Sequence, residues 1–166
     1  MSTAKTKKIF FWALLSAMLL TLVFIFTNSL RPPEESMEQS DAVGGFFAFI
    51  FSPDKPLGKF VQDHIRKIGH FGEYGILGAE VAAFVMFYLQ KRREKALLSA
   101  PFAMCVAVVD ETLQYLSGRG PAISDVWIDL GGFVSGSLLC YGIIMLVLRV
   151  RAAKAARSGG TEGENG

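Results

Sequence analysis

Residues 97–116 read LLSAPFAMCVAVVDETLQYL. As far as Val109 the run is apolar enough to lie in hydrocarbon, and then Asp110, Glu111 and Gln114 arrive in quick succession. Arg119 and Asp125 follow within a short, glycine-bounded loop. Even on insertion scales, a charged residue at the centre of a membrane helix costs about 2.5–3.5 kcal/mol. Packing alone gives no reason to keep such residues. The stretch therefore predicts a membrane helix that carries a polar functional site.

The rest of the chain supplies the other helices. Of its 166 residues, 51% are hydrophobic, and they fall in long runs rather than short amphipathic ones. That pattern excludes an ordinary soluble globule. Residues 9–27, 71–89, 97–116 and 126–147 each approach the ~20 residues of helix that cross a bilayer. The predicted fold is all-α: a polytopic membrane protein built as a four-transmembrane-helix bundle over 9–150. A basic N-terminus (1–8) precedes it, and a polar, glycine-rich tail (151–166), expected to be disordered, follows.

Charge sets the expected orientation. Lys5, Lys7 and Lys8 precede the first span, and Lys91, Arg92, Arg93 and Lys95 fill a tight turn between the second and third. Arg149, Arg151, Lys154 and Arg157 follow the fourth. The positive-inside rule puts both termini and the 91–95 turn in the cytoplasm. The first span is read as an uncleaved anchor, because no small-x-small site follows Thr27-Asn28-Ser29-Leu30. Cys105 and Cys140 lie inside predicted spans and read as small buried hydrophobes.

Between the first two spans, Arg31-Pro32-Pro33-Glu34-Glu35 through Asp41 reads as irregular, proline-broken chain. The aromatic run 46–51 is too short to span. Leu57, Phe60, Val61, Ile65 and Ile68 then recur at helical spacing, which predicts an amphipathic interfacial segment between helices 1 and 2.

Arg66, His70, Glu73, Leu77 and Glu80 follow steps of three or four and share one helical face. Asp110 and Gln114 share a face of the third span, and Asp125 and Asp129 share a face of the fourth. Under the expected topology these groups meet in the outer leaflet, delivered by three helices. Gly132 and Gly136 form a GxxxG pattern suited to close helix packing. The carboxylates Asp110, Glu111 and Asp125 could together hold a divalent cation. His70, Glu73, Asp110 and Glu111 are the candidates for acid–base work.

These motifs resemble those of the VanZ-like family of small bacterial integral membrane proteins. The resemblance rests on Arg66-Lys67-x-x-His70-Phe71-x-Glu73-Tyr74, Asp110-Glu111-x-x-Gln114, Gly118-Arg119 and Ser124-Asp125-Val126. Two places depart from the family pattern: the first-span exit reads Thr27-Asn28-Ser29, and Asp129 stands where asparagine is usual. The resemblance implies a multi-pass protein of the bacterial plasma membrane, associated with resistance to the glycopeptide teicoplanin. It also implies a ligand site built from Lys67, His70, Glu73, Tyr74, Asp110, Glu111, Gln114, Arg119, Ser124 and Asp125. The expected partners are membrane lipids or a lipid-linked cell-wall precursor, with no nucleic acid, and the glycine faces allow a homodimer. No cofactor is evident beyond the divalent cation. The alternative is an enzyme that modifies such a lipid, although the chain has no nucleophile elbow, zinc signature or phosphate loop.

Overall fold

The computed structural model describes residues 3–50, 55–89, 97–120 and 122–160, all in helices and their short connections. Five α-helices follow one another: α1 (Thr3–Ser29), α2 (Pro33–Ile50), α3 (Pro56–Tyr88), α4 (Ser99–Leu116) and α5 (Ile123–Gly160). Among the described residues, stretches of α1, α3 and α5 are long and apolar enough to cross a membrane. α4 is shorter than these three, and Asp110, Glu111 and Gln114 interrupt its apolar run. At 1.5 Å per residue its 18 residues reach about 27 Å, just under a hydrocarbon core of ~30 Å. It also turns Asp110, Glu111 and Gln114 inward, where all three are buried. Large apolar side chains such as Leu19, Leu20, Phe24, Leu138 and Leu139 point outward from α1 and α5, as they do when lipid is the solvent.

α3 and α5 form the spine of the bundle. A Cβ added to Gly132 would overlap the backbone of Phe71, and one on Gly136 would overlap that of Gly75. A Cβ on Gly78 would meet the Phe133 carbonyl, so the two backbones touch along the GxxxG face. The hydroxyl of Ser137 donates to the Gly78 carbonyl at 2.9 Å across the same seam. Partner numbers rise together along both helices, so α3 and α5 run parallel, and α4 returns the chain between them. α1 packs antiparallel to α3: Phe11 meets Phe84 and Tyr88, Thr21 meets Glu80, and Asn28 meets Glu73. Ile25, Tyr74, Leu77, Val81, Ala103, Val106, Ala107 and Phe133 form the apolar core of the four helices.

Several expectations are corrected. The 31–41 stretch is not irregular but opens α2, with Pro33 at the first helical position and Glu34 and Glu35 in the first turn. Proline needs no N–H there, and acidic residues favour the positive end of the helix dipole. The amphipathic stretch 57–68 is no separate segment: α3 runs unbroken from Pro56 through Gly69 into the apolar stretch. Helix α5 continues past 151 to Gly160, because Ala152, Ala153, Ala155 and Ala156 are strong helix formers. Cys105 is exposed on α4 and Cys140 only half-buried, so neither is a core residue. The basic turn 91–95 and residues 161–166 lie outside the described residues.

Candidate functional site

The polar residues converge where α1 ends, and local chain chemistry sets them there. α4 stops at Ser117 with Gly118 in the left-handed region (φ 80°). The Arg119 N–H then donates to the Gln114 carbonyl at 2.9 Å, and the Gly118 N–H donates to Tyr115 at 3.2 Å. This is a Schellman motif, which glycine adopts without the Cβ penalty of other residues. It turns Arg119 back over the end of α1, where its guanidinium donates to the Asn28 carbonyl at 3.1 Å. The Ser117 hydroxyl donates to the neighbouring Ser29 carbonyl at 3.0 Å. Both carbonyls belong to the last turn of α1, which lacks helical donors and favours a cation.

Asp110 sits at the centre, fully buried. Ser29 donates a hydroxyl to one of its oxygens, and the Gln114 amide donates to the other at 3.3 Å. The same amide reaches Glu111 at 3.3 Å, and Arg66 donates to the Gln114 carbonyl oxygen at 2.6 Å. A continuous relay thus runs Arg66–Gln114–Asp110–Ser29 through three helices. Glu111 accepts the Ala122 N–H at 2.9 Å and ties α4 to the start of α5. His70 Nδ1 lies 3.6 Å from Asp110 and 3.4 Å from Asp129, but it is aligned for a hydrogen bond with neither. Asp129 is also fully buried, and among the described residues neither of its oxygens has an aligned hydrogen-bond partner.

A cavity of about 380 Å³ adjoins this centre. Ser36, Gln39, Ser40 and Val43 of α2 wall one side, and Phe24, Ile65 and Ile68 supply apolar surface. Besides the Ser36, Gln39 and Ser40 side of α2, its polar lining is Asn28, Ser29, Arg66, His70, Glu73 and Arg119. The Nε atoms of Arg66 and Arg119 are buried without partners, and Arg119 is only 8% exposed. Among the described residues, neither guanidinium has a carboxylate at salt-bridge distance. Burial, and then the nearby charge of Arg66, push the Arg119 guanidinium below its usual value.

Most of the residues expected at the site do meet here: His70, Glu73, Asp110, Glu111, Gln114 and Arg119. Tyr74 lies fully buried beside them, its hydroxyl without a partner. Lys67 is exposed and does not join, since it is one step off the Arg66–His70–Glu73 face. Ser124 is exposed and donates only to its neighbour Asp125 at 3.1 Å. The proposed cation trio Asp110, Glu111 and Asp125 does not assemble. The grouped donors are His70, Asp110 and Asp129, because Asp129, one turn further along α5, is the carboxylate that enters the bundle. Ser29 and Asn28 were not anticipated as site members. Their only signal was polarity at the exit of an apolar helix. Glu80 stands apart, bonded to Thr21 at 3.1 Å.

These features define a class: a helical membrane protein with a buried polar centre opening into a cavity at one end of its bundle. The VanZ/LLP1 family profile matches residues 11–147, so the chain belongs to that family. No curated protein and no solved structure matches it.

Proposed function

We propose that the cavity binds the anionic head group of a membrane lipid or of a lipid-linked cell-envelope precursor. One observation carries this reading: two guanidinium groups, Arg66 and Arg119, share the cavity wall and, among the described residues, no carboxylate, Glu73 of the same wall included, stands at salt-bridge distance from either. Like charges held together in a poorly solvated place repel, and an anion between them relieves that cost. Guanidinium forks match phosphate and carboxylate geometry. The apolar walls suit the first carbons of a lipid. The positive-inside rule, applied to the basic clusters, supports an outer position for this end of the bundle, with both termini cytoplasmic. The parallel α3 and α5 support a crossing by α4 between them, for four crossings in all. Shielding an envelope group at this surface would lower susceptibility to teicoplanin.

The test is binding of a phosphatidylglycerol or a polyprenyl phosphate to the purified full-length protein in nanodiscs. Arg119→Gln and Arg66→Gln should each weaken binding about tenfold or more, matching the 1.5–3 kcal/mol of a charged hydrogen bond. Unchanged binding in both variants sinks the reading. A deletion strain complemented with wild type or Arg119→Gln should show the same contrast in teicoplanin susceptibility. A second reading, an enzyme acting on that head group, is favoured by His70 lining the cavity with Asp110 and Asp129 behind it. Turnover of the bound lipid by wild type, but not by His70→Gln, would select it.

A further inference from the structure

We propose that His70, Asp110 and Asp129 form a binding site for a divalent transition-metal cation of the zinc or manganese type. The three residues come from α3, α4 and α5, and each offers a donor atom within 4.8 Å of the others. The two spacings from His70 fit an ion. Two bonds of about 2.1 Å meeting at a tetrahedral angle leave their donor atoms about 3.4 Å apart. Nδ1 of His70 lies 3.4 Å from the Asp129 oxygen and 3.6 Å from the Asp110 oxygen.

Unmet bonding capacity supplies an independent argument. Asp129 is 0% exposed and, among the described residues, neither of its oxygens accepts an aligned hydrogen bond; its close polar neighbour is His70 Nδ1 at 3.4 Å, which is also without one. Native interiors satisfy buried carboxylates with hydrogen bonds or give them a metal. Asp110, in contrast, is braced. Ser29 and Gln114 hold its two oxygens, and Arg66 holds Gln114. Carboxylates that ligate a metal are usually held in this way by hydrogen bonds from outer residues. Two carboxylates and a neutral imidazole carry a charge of about −2, which a divalent ion neutralises in a low-dielectric interior. One nitrogen among the donors favours zinc or manganese over magnesium or calcium, which take all-oxygen sets.

The proposal is independent of the lipid reading, because it is tested with metal alone. Tag-free full-length protein in detergent is stripped with a chelator and titrated with Zn²⁺, Mn²⁺ and Mg²⁺, and retained metal is counted after desalting. Wild type should retain about one Zn²⁺ or Mn²⁺ per chain, in the tight, slowly released manner of a three-donor site. Asp129→Asn should lose affinity beyond the roughly 100-fold upper range for outer supports, and Gln114→Leu should lose about 10–100-fold. Asp125→Asn should bind as wild type does. Absence of retained metal in wild type overturns the site, whatever the variants do. So does wild-type affinity in Asp129→Asn, equal loss in Asp125→Asn, or Mg²⁺ held as tightly as Zn²⁺ and Mn²⁺. If Asp129→Asn loses its helical circular dichroism, His70→Gln takes its place under the same criteria.

Discussion

Gln114 shows how one side chain can organise charge that a bilayer would otherwise reject. Its amide nitrogen donates to Asp110 and Glu111 while its carbonyl oxygen accepts from Arg66. A neutral residue thus couples two acids to a base without direct ion pairing. Replacing it by leucine leaves Arg66 and Asp110 each short of a partner. Each orphaned group costs about 1–3 kcal/mol, so Gln114→Leu should lower thermal stability in detergent by several degrees. A melting temperature equal to wild type would show the relay to be energetically idle. Sequence reading found Gln114, Asp110 and Arg66 by helical spacing, because each lies on an apolar helix where polarity stands out. It named Asp125, with Asp110 and Glu111, as a possible cation ligand and left Asp129 out. The two share a face of α5, so it is depth along that helix, set by how α5 packs on α3, that brings Asp129 to His70 and Asp110.

At the scale of elements, the seam between α3 and α5 determines the architecture. Backbone meets backbone at Gly75, Gly78, Gly132 and Gly136, so no flexible side chain can yield to an added methyl. Gly136→Ala should therefore push the helices apart and cost about 1–3 kcal/mol, the range for overpacking. Gly142 lies further along α5 with nothing within 4 Å of an added Cβ. There alanine should be neutral, or stabilise by up to ~1 kcal/mol through helix propensity. Unfolding of the two variants in a detergent–denaturant series checks the contrast, and equal effects would contradict the seam. The GxxxG spacing at Gly132 and Gly136 was legible in the sequence. Which helix it met was not, because Gly72, Gly75 and Gly78 offer partners of the same kind. α2 was missed for another reason: two prolines suggested a break, although Pro33 begins a helix rather than interrupting one.

For the whole molecule, the parallel pairing of α3 and α5 has a topological consequence. Phe71 faces Gly132 and Gly75 faces Gly136, so the two helices run in the same sense, and a crossing by both calls for a return by the chain between them, where α4 lies. Reporter fusions at the N-terminus, within 91–95 and after Arg157 should all report cytoplasm, and one at Gly120 should report the outer side. A C-terminal reporter on the outer side would leave α4 short of a full crossing. The basic clusters alone suggest this orientation, because positive charge resists translocation wherever it falls in the tertiary structure. The sequence by itself determined the helical membrane class, the apolar stretches and the family motifs. Hydropathy and local spacing are properties of contiguous chain, and they need no partner to be read. Tertiary structure alone decided that Asp129 rather than Asp125 joins His70 and Asp110, that Lys67 stays outside, and that α2 walls a cavity. Those outcomes depend on the depth, rotation and approach of helices far apart in the chain, which glycine contacts and a single left-handed turn at Gly118 set in place.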